Sequence, residues 1–378
     1  MRILLVGGGT GGHVYPLVAV AEELQKLSNQ SASGIEFLVL TDDKRWADEF
    51  VKINIKSKII SAGKWRRYFS ILNFTDIFKF IFGWIQSLWH ILVFMPDVIF
   101  TKGGYVSVPP SLAGFFYLIP IFTHESDYDP GLANKVIAKL AKNIFVAFDG
   151  LDKFFNPKKL VLVGNPMRSG VFKGLKENAL RAFGFSETKK TILVLGGTQG
   201  ARRINELILN SLVALTRDFQ IIHQTGGLDF SDVQNMATQL IKEGGGSYGV
   251  QISTNYKFVP FLELQNLADS YALADVIITR AGANTLAEVA VLGKPVIVIP
   301  IPESVSHDQV QNAKAIERFG AVVLEEENLA SHIFINQLSR IMEPNFANQI
   351  KQKLNQFSKP DAAIQIASSL INFTNQKL

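Results

Sequence analysis

The stretch ILLVGGGTGGH, residues 3–13, decides the fold of this 378-residue chain, because an apolar run passes directly into a glycine cluster. This order is typical of a buried parallel strand, a tight turn and the start of a helix. The stretch ILVLGGTQGAR, residues 192–202, repeats the pattern about one domain length later. The two copies predict two Rossmann-like, doubly wound α/β domains, which we expect to face each other across a cleft.

Short apolar runs alternate with longer helical patterns along the chain, which predicts two parallel sheets covered by helices. The first series of runs is 2–7, 36–41, 97–102, 119–125 and 143–148, and the second is 191–197, 219–226, 256–261, 275–282, 294–301 and 320–326. We expect an N-terminal domain over residues 1–164 and a second domain over 165–345. The remaining helices, 346–378, are expected to return to the first domain, and glycine and proline in 162–170 predict the hinge.

Composition excludes several kinds of protein. The absence of cysteine excludes disulfides, thiolate metal sites and a cysteine nucleophile. A formal charge of +5 and a pI near 9.1 favour an anionic ligand or an anionic membrane surface over nucleic acid. The N-terminus enters a predicted strand at once, which leaves no room for a secretory signal. No metal site is expected, because the Asp127-x-Asp129 pair has no third carboxylate nearby and the histidines lack metal-ligand spacing.

The first glycine loop has two possible uses. Its G-x-G-x-x-G spacing is that of a dinucleotide-binding loop, but the acidic residue expected about 20 positions later is missing. Asp42 and Asp43 remain as candidates for a ribose contact. Alternatively, the loop binds another phosphate-bearing ligand, and His13, in the first helical turn, acts as a general base near neutral pH. A capping or packing role is the structural alternative for His13.

The segment TRAGANTLAEVAVLGKPVIVIP, residues 279–300, indicates a nucleotide site in the second half. A glycine turn followed by Asn284 and Thr285 at a helix start offers N–H groups to a pyrophosphate. Glu288, one turn later, is placed to accept two hydrogen bonds from ribose hydroxyls. An ordinary first-turn glutamate, favoured by the helix dipole, is the alternative.

The stretch from Trp65 to Phe94 is long, aromatic and basic at its start. Charged residues interrupt it at a cost of about 2.5 kcal/mol or more each at a bilayer centre, which disfavours a membrane span. A core helix and an interfacial surface are both compatible with its composition. An interfacial surface would use the basic and aromatic side chains Lys64, Arg66, Arg67, Lys79, Phe80 and Trp84.

The two glycine loops and the 279–300 segment are accompanied by the stretches TKGGYVSVPPSLA, HESDYDPGLANK, VGNPMR, HQTGG and HDQVQNA. Together these motifs follow one another in a defined order over residues 1 to about 330. In this order they resemble the MurG family of bacterial transferases. These enzymes add N-acetylglucosamine from UDP-GlcNAc to the undecaprenyl-pyrophosphoryl-MurNAc-pentapeptide acceptor of peptidoglycan synthesis. The resemblance implies a GT-B fold, inversion at the anomeric carbon, no cofactor, and a peripheral position on the cytoplasmic face of the membrane.

The resemblance also implies roles for individual residues. His13 is the expected base for the acceptor's C4 hydroxyl, and Glu125 is the second candidate. The implied donor-binding residues are Thr10, Gly11, Gly12, Arg168, Thr198, Leu262, Ala283, Asn284, Thr285, Leu286, Ala287, Glu288 and Gln309. Some members have His-Glu-Gln-Asn where this chain has His-Glu-Ser-Asp, so a donor contact at Asp127 is left open. Alternatives are a glycolipid synthase or UDP-GlcNAc epimerase of the same fold, and a non-catalytic nucleotide-sugar sensor.

Overall fold

The computed structural model describes residues 1–30, 34–64 and 72–376 of the chain. The chain divides into two compact units, one of residues 1–168 with 359–378 and the other of residues 169–358. Each unit contains one parallel β-sheet with its own hydrophobic core. The predicted α/β class with two Rossmann-like domains is confirmed.

The first unit alternates strands and helices. Its elements are β1 (Arg2–Val6), α1 (Gly11–Gln30), β2 (Glu36–Thr41), α2 (Lys44–Val51), β3 (Lys56–Ile59), α3 (Leu72–Phe94), β4 (Val98–Thr101), α4 (Val108–Phe116), β5 (Ile121–Glu125), α5 (Leu132–Leu140), β6 (Asn143–Val146), β7 (Leu160–Leu162) and the C-terminal helix (Ala362–Asn375). The strand order is β3-β2-β1-β4-β5-β6-β7, and all pairs are parallel. The order reverses between β1 and β4, where open α/β sheets bind their ligands.

The second unit follows the same plan. Its elements are α6 (Lys176–Phe183), β8 (Lys190–Leu195), α7 (Arg202–Asp218), β9 (Phe219–Gln224), α8 (Phe230–Glu243), α9 (Val250–Asn255), β10 (Tyr256–Val259), α10 (Leu264–Leu273), β11 (Val276–Thr279), α11 (Ala283–Leu292), β12 (Val296–Val298), α12 (His307–Glu317), β13 (Val322–Val323), α13 (Ser331–Ile341) and α14 (Pro344–Phe357). Its strand order is β10-β9-β8-β11-β12-β13. Here the order reverses between β8 and β11.

Every strand predicted from an apolar run is present, whereas β3 and β7 were not predicted. β3 is an edge strand of sequence KSKI with mostly exposed residues, so it lacks the apolar pattern of a buried strand. β7 is only three residues long and lies at the opposite edge.

The predicted domain boundaries need two corrections. The first unit extends to residue 168 rather than 164. The expectation that all of 346–378 joins the first domain is wrong for α14, because Ile350 and Leu354 lie in the core of the second unit. The C-terminal helix does join the first unit, where Ile366 and Leu370 pack in its core beside α1.

Helix α3 packs on its own unit along one side and is open along the other. Asp76, Gly83, Ser87 and Ile91 are buried, and α4 packs against this side. A Cβ at Gly83 would lie 1.8 Å from the carbonyl oxygen of Ser61, so glycine is needed for this close approach. Within the described residues, the segment Phe74–Phe94 is the one helix long and apolar enough, by length and composition only, to cross a membrane.

Candidate active site

His13 lies in the first turn of α1, immediately after the first glycine loop. The loop turns through Gly9, whose φ of +80° favours glycine. His13 Nδ1 lies 3.1 Å from the hydroxyl oxygen of Thr10. Burial, and secondarily the nearby Lys102, lower the pKa of His13 to about 4. The imidazole is therefore neutral near pH 7, as a general base must be.

Asp42, at the end of β2, holds the first glycine loop in place. One carboxylate oxygen accepts a hydrogen bond from the Gly9 backbone N–H at 2.9 Å, and the other accepts one from the Tyr105 hydroxyl at 2.6 Å. Asp43 caps α2 by accepting the N–H of Arg45. Both oxygens of Asp42 are thus used within the protein, so the structure favours a loop-holding role over the ribose contact left open by the sequence.

Two glycines after β4 make room for the residues around His13. Gly103 and Gly104 have φ values of +84° and +77°. A Cβ at Gly103 would lie 2.5 Å from the side-chain nitrogen of Asn134. A Cβ at Gly104 would lie 3.3 Å from Nε2 of His13. Sequence reasoning quoted this Gly-Gly pair but did not assign it this steric role.

Glu125, at the end of β5, is bonded on both oxygens to the turn that follows it. Oε1 accepts the N–H of Asp127 at 2.9 Å, while Oε2 accepts from the Gly131 N–H at 3.2 Å and the Asn134 amide at 2.9 Å. The side chain is buried, and this burial, with the neighbouring Asp127, raises the pKa of Glu125 to about 7. Asp127 is partly exposed on the same turn.

Lys102 lies beneath this turn and was missed by the sequence reasoning. Only 1% of its surface is exposed, and its ammonium donates a hydrogen bond to the Ser126 hydroxyl. Ser126 in turn donates to the side-chain oxygen of Asn165 at 3.2 Å. Burial lowers the pKa of Lys102 to about 8, although Glu125 and Asp127 oppose this shift.

The remaining predicted residues of the first unit lie near the loop. Thr10 and Gly12 are exposed, and Gly11 is buried. The guanidinium of Arg168 lies 4.1 Å from the centre of the Tyr15 ring, a cation–π contact that fixes its position relative to α1.

The second glycine loop, between β8 and α7, is held by the HQTGG motif that follows β9. The Gln224 amide donates to the carbonyl oxygen of Gly197 at 3.1 Å, and the Gly227 N–H donates to that of Thr198 at 3.3 Å. Gly226 and Gly200 meet so closely that a Cβ at Gly226 would lie 2.1 Å from the Cα of Gly200. Thr198 itself is exposed at the tip of the loop.

A buried polar network supports this arrangement from behind. His223 Nε2 lies 2.9 Å from the side-chain oxygen of Asn205, and Nδ1 lies 2.8 Å from the Tyr256 hydroxyl. The Asn205 amide donates to Asp229 at 2.9 Å, and a Cβ at Gly200 would lie 2.6 Å from that carboxylate. Burial lowers the pKa of His223 to about 3, so it is a neutral structural group.

Helix α11 presents part of the predicted nucleotide segment. Asn284, Thr285 and Glu288 are partly exposed, and the Tyr271 hydroxyl donates to Oε2 of Glu288 at 2.8 Å. Ala283 and Ala287 are almost fully buried. The buried Asn312 donates to the carbonyl oxygen of Ala281 at 3.2 Å, which fixes the turn before the helix.

Two of the residues predicted to contact the donor in the second unit have buried side chains. The side chains of Leu286 and Leu262 are 0% and 2% exposed and belong to the hydrophobic core. Leu286 faces inward because it lies on the sheet-facing side of an amphipathic helix. The backbone N–H of Leu262 donates to Gln224 at 3.0 Å. Gln309 is partly exposed, and its side-chain oxygen accepts the N–H of Ile301 at 3.3 Å.

Comparison with known proteins identifies the family. The sequence matches the family description "Glycosyltransferase family 28 N-terminal domain" over residues 3–146 and "Glycosyltransferase family 28 C-terminal domain" over residues 191–366. The chain belongs to glycosyltransferase family 28. A family relative from Treponema denticola is 34% identical, with 96% of this chain and 93% of the relative covered. One from Borrelia turicatae is 35% identical, with 98% and 96% covered.

Both relatives carry the name UDP-N-acetylglucosamine–N-acetylmuramyl-(pentapeptide) pyrophosphoryl-undecaprenol N-acetylglucosamine transferase. Among solved structures, Acinetobacter baumannii MurG matches with a TM-score of 0.72 and 24% identity, covering 98% of this chain and 99% of that one. The UDP-GlcNAc 2-epimerase from Neisseria meningitidis matches with a TM-score of 0.69 and 17% identity, covering 98% and 100%. These structural matches support the fold.

Of the residues predicted to face the membrane, only some are exposed. Lys64 and Lys79 are exposed, whereas Phe80 and Trp84 are half-buried on α3; Arg66 and Arg67 lie outside the described residues. The open apolar side of α3 is formed instead by Phe74, Ile77, Phe78, Ile81, Phe82, Ile85 and Trp89. The prediction chose aromatic residues by type, whereas helical phase decides which of them point outward.

In the part of the chain that the structure describes, no three His, Cys, Asp or Glu side chains are grouped so that they could hold a metal ion. Asp129, half of the Asp-x-Asp pair, lies 3.2 Å from the ammonium of Lys135.

Proposed function

We propose that this chain transfers N-acetylglucosamine from UDP-GlcNAc to the C4 hydroxyl of MurNAc in undecaprenyl-pyrophosphoryl-MurNAc-pentapeptide, with inversion. The observation that carries the proposal is the neutral imidazole of His13 at the switch point of the first sheet. It occurs in a chain that matches transferases of this name along nearly its whole length. The epimerase alternative rests on a fold match at 17% identity alone.

His13 takes the proton in the proposed reaction. If Nδ1–H donates to the Thr10 hydroxyl, the lone pair of Nε2 is free to accept the proton of the acceptor's C4 hydroxyl. The C4 oxygen then forms a bond to the anomeric carbon while the bond from that carbon to the UDP oxygen breaks. Because attack and departure occur on opposite faces, one displacement inverts the configuration.

The second unit binds UDP in this proposal. Backbone N–H groups of the Gly196–Gly200 loop and of the first turn of α11 stabilise the diphosphate as it gains charge, with the Thr198 hydroxyl as a further donor. Glu288, oriented by the Tyr271 hydroxyl, accepts hydrogen bonds from the ribose hydroxyls. Arg168 of the first unit contributes a fixed positive charge toward the donor.

Of the two candidate bases, we favour His13 over Glu125. The oxygens of Glu125 accept three hydrogen bonds from the 127–134 segment, and uptake of a proton would weaken these bonds. We therefore assign Glu125 the role of holding this turn. Asp127 is the second carboxylate of this turn and is partly exposed.

The open apolar side of α3 binds the cytoplasmic leaflet in this proposal, because the acceptor is lipid-linked. An apolar helix side with cationic residues at its border is the arrangement that inserts into the boundary between headgroups and acyl chains. Phe78, Phe82 and Trp89 are each more than half exposed, and Lys79 lies among them.

The decisive experiment measures UDP release from UDP-GlcNAc by the purified chain in EDTA, with and without a water-soluble, short-chain analogue of the acceptor. Acceptor-dependent release is expected. Donor hydrolysis or isomerisation without acceptor, and no transfer with it, would leave the hydrolase or epimerase alternative.

The same assay tests the membrane surface when the long-chain acceptor is supplied in phosphatidylglycerol vesicles. The triple variant F78S/F82S/W89S should lose activity on vesicles but keep activity on the soluble analogue. A matched control, V213S/V250S, removes exposed apolar side chains from the second unit and should keep both activities. Equal loss on both acceptors by the triple variant would contradict the membrane role.

A further inference from the structure

Lys102 is one of the largest fully buried side chains in the molecule. Buried lysine is rare in proteins because the ammonium loses its hydration, so it needs specific compensation. Its position is fixed by the chain: Lys102 directly follows β4, and its backbone N–H donates to the carbonyl oxygen of Val6 at the end of β1. The side chain therefore starts at the switch point of the first sheet and runs beneath the glycine loop, where a Cβ at Gly7 would lie 3.6 Å from that of Lys102.

The charged groups around Lys102 come from three elements. Glu125 and His124 are contributed by β5, Asp127 by the turn after it, and His13 by α1. His124 is fully buried and its Nε2 lies 2.8 Å from the carbonyl oxygen of Gly164. Burial, and secondarily Lys102, lower the pKa of His124, so this group is neutral. The groups to be balanced are thus one ammonium and two carboxyl groups, and Lys102 lowers the pKa of Glu125, which burial raises to about 7.

The two carboxylates would oppose each other without the ammonium. They lie two residues apart on one tight turn, and the Asp127 N–H donates to Glu125. Two negative charges this close together favour protonation of one of the two carboxylates. Protonation of Glu125 would weaken its three hydrogen bonds and so release the turn after β5. One of these bonds comes from Asn134, whose side chain also lies beside Gly103.

We propose that Lys102 is a positioning residue for the transfer step, whose buried ammonium balances Glu125 and Asp127 and so fixes the 124–131 turn and the Gly103–Gly104 turn against His13. This inference rests on the proposed function, because it takes His13 as the base. It also accounts for the aspartate at position 127, where some family members have asparagine: the extra negative charge is matched by a cation that a neutral residue at 102 would not supply.

The test is a double-mutant cycle with K102M, D127N and K102M/D127N. We expect K102M to lower kcat/KM for the acceptor by about 100-fold, because it leaves buried carboxylates without their cation. K102M/D127N removes the surplus negative charge as well and should recover at least about tenfold of that loss. If the fold-losses in kcat/KM of the two single variants multiply in the double variant, Lys102 and Asp127 act independently and the proposal is overturned.

A pH profile separates positioning from a purely structural role. Lys102 lowers the pKa of His13, so removal of Lys102 raises that pKa. As the pH falls, His13 then becomes protonated, and stops acting as a base, at a higher pH than in the wild type. The acid limb of kcat/KM should therefore move to higher pH in K102M and return part of the way in K102M/D127N. An unchanged limb in an active K102M variant would contradict the proposal.

Two controls keep the outcome interpretable. K294M removes a mostly buried lysine of the second unit, whose ammonium donates to the carbonyl oxygens of Ala272 and Ala274, and should leave the acid limb in place. Urea unfolding of the four proteins of the cycle measures the coupling of Lys102 with Asp127 without any substrate. If Lys102 and Asp127 are coupled in unfolding but the wild type transfers no sugar, the proposed function is refuted and the charge balance between these residues stands. If the wild type transfers the sugar but the two residues are not coupled, the proposed function stands and the role of Lys102 is refuted.

Discussion

The two glycine loops follow the same course from strand to helix, but different chemistry holds them. Around the first loop lie buried or partly buried ionisable groups: Asp42, which accepts the Gly9 N–H, and Lys102 and Glu125. Around the second lie mainly neutral groups, including the Gln224 and Asn205 amides and a neutral His223. Gly200 and Gly226 add a close backbone contact between two glycines.

This difference corresponds to the two tasks of a glycosyl transfer. A group that moves a proton needs charges around it, since charges and burial set its pKa. A loop that binds a diphosphate needs N–H groups fixed at the right spacing, which the Gln224 amide and close glycine packing provide. The first unit is therefore suited to proton transfer and the second to anion binding.

The largest effect is expected from removal of the base in the first unit. H13A should lower kcat for transfer by about 1,000-fold, within the range that general bases contribute. UDP binding, measured by calorimetry, should not change, because the proposed UDP contacts of the second unit remain. The control H332A removes an exposed histidine of α13 and should retain full activity. A loss below about tenfold in H13A would assign the proton to another group.

A smaller effect, confined to donor binding, is expected from the glycine contact of the second unit. G226A introduces a methyl group 2.1 Å from the Cα of Gly200 at a φ of +84°, so the loop must shift. UDP affinity should fall by about 100-fold, because the diphosphate N–H groups lose their spacing. The acid limb of the pH profile should stay in place.

The matched control for G226A is G245A. Gly245 also has positive φ, +58°, but a Cβ there has no neighbour within 4 Å. G245A therefore imposes a backbone strain of about 1–2 kcal/mol without a collision. It should lower the stability of the protein but not its affinity for UDP. Equal UDP affinity in G226A and wild type would show that the loop does not need the close contact.

The sequence predicted the parallel strands and both glycine loops because apolar runs and glycine turns are local signals. It missed β3, whose KSKI sequence is polar because the strand lies exposed at the sheet edge. It also missed the partners of the site residues. Asp42 and Tyr105 are 63 positions apart, and only the strand order brings them together. Leu286 was predicted as part of one block of donor-binding residues, whereas helical phase places its side chain in the core and leaves that of Glu288 partly exposed.

The smallest effect is expected at Glu288, whose carboxylate accepts a hydrogen bond from Tyr271. Tyr271 is fully buried, and its hydroxyl donates to Oε2 of Glu288 at 2.8 Å. Y271F removes this bond, and a hydrogen bond to a charged group contributes about 1.5–3 kcal/mol, so KM for UDP-GlcNAc should rise about tenfold or more. Because we propose that the proton is moved in the first unit, kcat and the pH profile should change little. The control Y248F removes the hydroxyl of an exposed tyrosine and should leave KM unchanged. A fall in kcat at constant KM in Y271F would mean that the second unit contributes to the chemical step as well as to binding, and the division of tasks between the two loops would then fail.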